Sequence, residues 1–112
     1  MDIKTHLEEG TGFTWKELRY LKMPPLPYFI YVDDTYIRGA DILNNIIEHN
    51  LVLEYYNDTE DKAKEKIIED FLNANDYQYN KNKEWLENEK MFVIVYEIDT
   101  FLEKIERSNI NV

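Results

Sequence analysis

The sequence predicts an α+β domain in which an antiparallel sheet of about four strands carries helices packed mainly on one of its faces. Three observations predict it. Residues 46–56 alternate strictly, with Ile47, His49, Leu51, Leu53 and Tyr55 on one side and Glu48, Asn50 and Glu54 on the other. Residues 63–72 repeat apolar side chains at helical spacing, and residues 90–98 are apolar on both strand faces. Strands placed before and after one main helix favour an antiparallel sheet with helices segregated to one side.

The chain of 112 residues supports one hydrophobic core, so a single domain over residues 1–112 is expected. Residues 1–12 carry only a weak helical pattern, at Ile3 and Leu7, before a Gly-Thr-Gly break, and read as a loose end. Thr14 and Glu17 have the spacing of a capping box, which predicts a short helix over Thr14 to Lys22. Met23-Pro24-Pro25-Leu26-Pro27 ends it, because proline lacks the N–H and forces its predecessor to be extended.

Tyr28 to Val32 is a strand closed by Asp33-Asp34, followed by a brief extended piece over Thr35 to Arg38 and a turn at Gly39-Ala40-Asp41. The long strand over Ile46 to Tyr56 comes next. Asn57-Asp58-Thr59 opens the main helix, whose stripe is Ala63, Ile67, Ile68, Phe71 and Leu72, with Lys62, Glu65, Lys66 and Glu69 opposite and a stop at Asn73 to Asp76. Two antiparallel strands follow, around Lys83 to Leu86 and Lys90 to Ile98, turning at Glu87-Asn88-Glu89. In the second, Phe92, Ile94, Tyr96 and Ile98 face one way and Met91, Val93 and Val95 the other; such a strand is central or meets a partner. Thr100 and Glu103 repeat the capping-box spacing and predict a terminal helix with Phe101, Leu102 and Ile105, before a loose tail over residues 108–112.

Composition narrows function. The 23 acidic against 13 basic residues give a formal charge of −10, a surface that repels phosphate backbones and argues against nucleic-acid binding. Cysteine is absent, which removes thiolate nucleophiles, disulfides and cysteine-based zinc sites. The polar first ten residues carry no secretory pattern, and no apolar run reaches the roughly 20 residues that span a bilayer, so a cytoplasmic product that does not enter membranes is expected.

No catalytic or cofactor-binding set is legible, and no enzyme, metal or cofactor is expected. His49, on the apolar face of the long strand, reads as a core or edge histidine hydrogen-bonded to a neighbour. Asp33, Asp34 and Asp41 could offer oxygen ligands to a hard cation, but their spacing matches no calcium loop and fits turn-starting carboxylates. Three glycines, Gly10, Gly12 and Gly39, build neither a phosphate loop nor a dinucleotide fingerprint. Tyr77, Tyr79 and Trp85 stand in a stretch otherwise made of Asn, Lys and Glu, and aromatic residues there serve as interface anchors. With Met91, Val93, Val95, Asp33, Asp34 and Asp41 they form the predicted protein-interaction set.

Four segments carry a resemblance: Pro24-Pro25-Leu26-Pro27-Tyr28-Phe29-Ile30-Tyr31, Gly39-Ala40-Asp41, Leu53-Glu54-Tyr55-Tyr56-Asn57-Asp58, and Trp85-Leu86-Glu87-Asn88-Glu89-Lys90-Met91 on to Tyr96. In this order and spacing the chain resembles the tail-completion, or tail-terminator-like, head-tail joining proteins of siphophages and prophages of Gram-positive bacteria. The resemblance implies a non-enzymatic virion protein at the head-proximal end of the tail, made in the bacterial cytoplasm. Its implied partners are the tail-tube protein and the head-tail connector, with its own copies forming a ring, commonly a hexamer. A competing expectation from charge alone is an acidic inhibitor or DNA mimic that fills a basic cleft, with Glu60, Asp61 and Glu65 as its phosphate-like groups.

Overall fold

A computed structural model of the chain describes residues 1–41 and 44–106. The chain is α+β, with two helices and a sheet of six strands, larger than the four the sequence predicts. The elements are α1 (Ile3–Thr11), β1 (Trp15–Glu17), β2 (Tyr28–Asp41), β3 (Asn44–Asn57), α2 (Lys62–Ala74), β4 (Tyr79–Leu86), β5 (Met91–Ile98) and β6 (Phe101–Glu106). The strand order is β1-β2-β3-β5-β4, with β6 also on β3. Every pairing is antiparallel except that of β1 with β2.

The extra strands come from segments whose local signal is helical. Thr14 caps nothing; Trp15–Glu17 pairs with Phe29–Tyr31, and the Leu18 N–H donates to the Tyr31 carbonyl at 2.9 Å. The Trp15 N–H donates to Glu8 Oε2 at 3.0 Å, so the backbone groups a helix would have paired internally are satisfied by neighbours. The helix lies earlier. Asp2 caps α1 by accepting from the N–H groups of Lys4 and Thr5, and Ile3, Leu7 and Thr11 are buried, so the first residues pack where the sequence reads a loose end. Gly12, in the left-handed region at φ 78°, ends α1.

At the other end the predicted terminal helix is strand β6. Residues Phe101–Glu106 pair with His49–Asn44, while the second half of β3, Val52–Asn57, pairs with Glu97–Phe92 of β5. β5 and β6 therefore follow one another along the same side of β3, interrupted at Asp99-Thr100, where Thr100 Oγ1 donates to Asn50 Oδ1 at 2.6 Å. The predicted loose tail, 108–112, lies outside the described residues.

β2 runs on through Asp33-Asp34 and the expected turn at Gly39-Ala40-Asp41, pairing with β3 from Tyr28↔Tyr56 to Asp41↔Asn44. The register shifts between Arg38 and Asp41, and Gly39, at φ 149°, supplies the conformation that the irregularity requires. The main helix starts later than predicted, capped by Asp61, and buries Glu65, Ile68, Phe71 and Leu72, while Ile67 and Ala63 are exposed. The buried stripe is thus rotated toward Glu65.

The core joins Ile3 and Leu7 of α1 and Ile68, Phe71 and Leu72 of α2 to Trp15 and to strand residues Phe29, Tyr31, Leu51, Leu53, Tyr55, Ile94, Tyr96 and Ile98. Alternation places those residues of each long strand on a common side. Gly10 is where the helices meet: a Cβ there would lie 2.2 Å from the Phe71 ring.

The sheet extends past this core. Beyond the row Thr35↔His49↔Phe101, three strands continue as an arm, and six further residues of β2 to Asp41 add roughly 20 Å of strand. The molecule accordingly measures 56 × 29 × 22 Å.

Candidate protein-interaction surface

Strand β5 lies between β3 and β4, so its two-sided apolar character is that of a central strand. Met91 and Val93, predicted to meet a partner, are buried within this single chain, and Val95 is half-buried. On their side of the sheet the segment before β2 comes close: Arg19, Tyr20 and Met23 line a hollow of about 270 Å³ with Tyr28, Tyr56 and Met91.

The predicted aromatic anchors divide. Trp85 is 41% exposed, packed edge-on against Phe92, with its indole N–H donating to Glu87 at 2.6 Å. Tyr79 is half-buried against Tyr96. Tyr77 is half-buried too, stacked on Phe101, with its hydroxyl 3.0 Å from His6 Nε2. Asp34 is exposed, and Asp41 ends β2, its side chain outside what is described.

Asp33 does something else. His49, 3% exposed, points Nδ1 at Asp33 Oδ2 (2.6 Å) and Nε2 at Glu103 Oε1 (2.8 Å). Ionised carboxylates only accept, so this geometry suits an imidazolium, which donates from both ring nitrogens. Burial by itself would lower its pKa, but the hydrogen bonds from Asp33 and Glu103, and their charges, outweigh it and leave the pKa raised. Phe101 stacks on the ring at 4.7 Å, and the Met1 amino group bonds Glu103 at 2.5 Å. Both ring nitrogens are thus engaged, and Phe101 stacks on one face of the ring. His49 ties β2, β3 and β6 together where the arm leaves the body.

A second charge cluster joins α2 to β4. Glu65, 4% exposed, holds Lys81 at 2.7 Å through Oε1, while its Oε2 lies 3.0 Å from Lys83 Nζ, within ion-pair range but outside hydrogen-bond geometry. Burial pushes the Glu65 pKa up, and the two lysines more than reverse this, leaving it lowered. Glu69 pairs with Lys81 and accepts from the buried Tyr96 hydroxyl at 2.8 Å; burial and that carboxylate push the phenol pKa far up. Glu65→Gln is expected to cost about 1–3 kcal/mol of stability, the loss of a charged hydrogen bond, seen as a lowered urea midpoint at neutral pH. An unchanged midpoint would show the cluster to be idle.

These pairings bear on the acidic-mimic expectation. Of the three acids named there, Glu65 lies buried beneath two lysines, Asp61 caps α2 and pairs with Lys64, and Glu60 stays exposed.

Large exposed apolar side chains also lie outside the predicted interaction set: Leu18, Leu21 and Met23 before β2, Tyr36 and Ile37 on the arm in β2, and Leu102 on β6. The signal in the sequence is Tyr36-Ile37, an apolar pair set between Asp34 and Arg38. Among the described residues no group of three or more histidine and carboxylate side chains is arranged to hold a metal, and no helix is long and apolar enough to cross a membrane. The chain matches no protein-family model and no curated protein.

Proposed function

We propose that this protein is a non-enzymatic structural component of a phage or prophage virion that completes the tail tube at its head-proximal end, joins it to the connector, and acts as a ring of copies. The collinear motifs over residues 24–98 motivate the reading. The geometric feature that supports it is the three-stranded arm, which carries Tyr36, Ile37 and Leu102 into solvent and on which, among the described residues, the outer edges of β2 and β6 are unpaired. Exposed apolar side chains on an open-edged extension are surface that another chain can cover. In this reading both helices lie on the core side of the sheet and the arm is the part of the sheet that neighbouring molecules take up.

Light scattering after size exclusion, with the tail-tube protein of the same genome, and negative-stain imaging of the mixture test it. The expected result is a ring-sized species or a density added to one end of the tube. A strict monomer that never joins the tube overturns the proposal.

A further inference from the structure

The strap between β1 and β2, Leu18 to Pro27, carries charge and apolar surface that the rest of the chain does not engage. Most cations of the body are paired: Lys64, Lys66, Lys81, Lys83 and Lys90 each meet a carboxylate. Arg19 and Lys22 on the strap, and Lys16 just before it, are exposed and take part in no ion pair among the described residues. Among them stand Leu18, Leu21 and Met23, which are 64%, 92% and 63% exposed. Lys16 lies opposite Ile30, on the sheet face away from the helices, whereas Glu17 lies opposite Tyr31 of the core and faces the other way.

Arg19, Tyr20 and Met23 of the strap also line the hollow of about 270 Å³, which has room for one aromatic or aliphatic side chain. Its tyrosines brace one another. Tyr20 meets Tyr28 edge-on at 5.6 Å, Tyr28 stacks on Tyr56 at 4.7 Å, and the Tyr28 hydroxyl donates to Met23 Sδ at 3.3 Å, so the hollow is formed before anything enters it. Two acids lie close by: Glu89, which lines the hollow, and Glu54, which accepts from the Tyr56 hydroxyl at 2.6 Å. The three unpaired cations outnumber them.

We infer that the strap and its hollow are a docking site for an acidic peptide segment of another protein, which places one aromatic or aliphatic side chain in the hollow and flanking carboxylates on Lys16, Arg19 and Lys22. Unpaired cations around an aromatic recess, on a chain of net charge −10, select that chemistry: an apolar anchor ringed by negative charge. A lipid surface has no side chain to fill the hollow, and its phosphates would meet Glu54 and Glu89. The exposed aromatic side chains of a second copy are poorer matches. Trp85 is held by its own Phe92 and Glu87, and Tyr36 shares its face with Arg38 as well as Asp34. The inference stands apart from the virion reading, and its failure leaves that reading untouched.

A random heptapeptide library on beads, screened with the labelled full-length chain at physiological salt, tests it; the enriched peptides are then resynthesised and their affinities measured by fluorescence anisotropy. The expected result is enrichment of sequences with at least two acids around one aromatic or leucine residue. Their affinity is expected to fall at least tenfold for the Arg19→Glu/Lys22→Glu protein and for Met23→Glu, and to change less than twofold for Lys62→Glu/Lys66→Glu, which removes as much charge on α2. All five positions are exposed, so the variants keep the fold, which circular dichroism checks. No enrichment over the Arg19→Glu/Lys22→Glu protein, or an equal loss from the α2 reversal, overturns the inference. Flotation of the chain with vesicles of equal parts phosphatidylcholine and phosphatidylserine, abolished by Leu21→Ser, overturns it in favour of a lipid contact. A dimer in light scattering that the Arg19→Glu/Lys22→Glu protein does not form overturns it in favour of a second copy.

Discussion

Replacing His49 with leucine is expected to lower the unfolding free energy by about 3–5 kcal/mol near neutral pH, the range for breaking a buried ion pair by removing one partner. The imidazolium is held by Asp33 on β2 and Glu103 on β6 at 2.6 and 2.8 Å, and its removal leaves two acceptors facing an apolar side chain. Asp33 retains only the Asn50 N–H, and Glu103 the Met1 amino group. Because, among the described residues, β6 pairs with β3 alone, the loss concentrates at the arm. Hydrogen exchange is expected to rise in residues 101–104 before it rises in β5.

The pH dependence has a definite sign. The folded pKa of His49 is raised above its ordinary 6.5, so its stabilisation is fully present below about 6.5 and is lost as pH rises through the folded value. Glu103 runs the other way: the Met1 amino group first, and His49 after it, hold its pKa below 4.5, so its contribution is present above about 4.5 and is lost as pH falls through the folded value. His6, whose pKa burial lowers, opposes His49 around neutrality, and the His49→Leu protein carries His6 unchanged. Subtracting the denaturation midpoints of the two proteins from pH 5.5 to 9 therefore isolates His49. The difference is expected to shrink as pH rises; a constant difference would mean that the ring is neutral throughout.

Trp15→Ala is expected to cost about 3–5 kcal/mol, the range for deleting a buried tryptophan side chain. Trp15 is wholly buried, packs against Phe29 at 5.1 Å, and its indole N–H donates to Thr11 Oγ1 at 2.9 Å. That hydroxyl donates in turn to the Leu7 carbonyl at 2.7 Å, so one side chain joins the end of α1 to the edge of the sheet. Urea denaturation followed by circular dichroism measures the loss. A cost below about 1 kcal/mol would show that β1 is not part of the cooperative core, since surface substitutions fall in that range.

Trp15 also shows why part of the fold was illegible. Thr14 with Glu17 and Thr100 with Glu103 both have the capping-box spacing, and both lie at strands. A spacing of three serves a helix only if the backbone between is free to coil. Here Trp15–Glu17 is paired by Phe29–Tyr31 and Phe101–Glu106 by the first half of β3, and both partners are remote in sequence. Nor could the rotated stripe of α2 be read locally: Glu65 is buried because Lys81 and Lys83, on another element, meet it there.

Alternation over residues 46–56, helical spacing over 63–72 and the two-sided apolar run over 91–98 were enough on their own to place β3, α2 and β5, because each signal is a periodicity carried along a single element. Tertiary structure alone decided that two helix-patterned segments are strands, that Asp33, His49 and Glu103 form one ionic clasp, and that the sheet outruns its core as an arm. Those outcomes depend on which distant backbone groups and charges find one another, and periodicity within a segment carries no record of that choice.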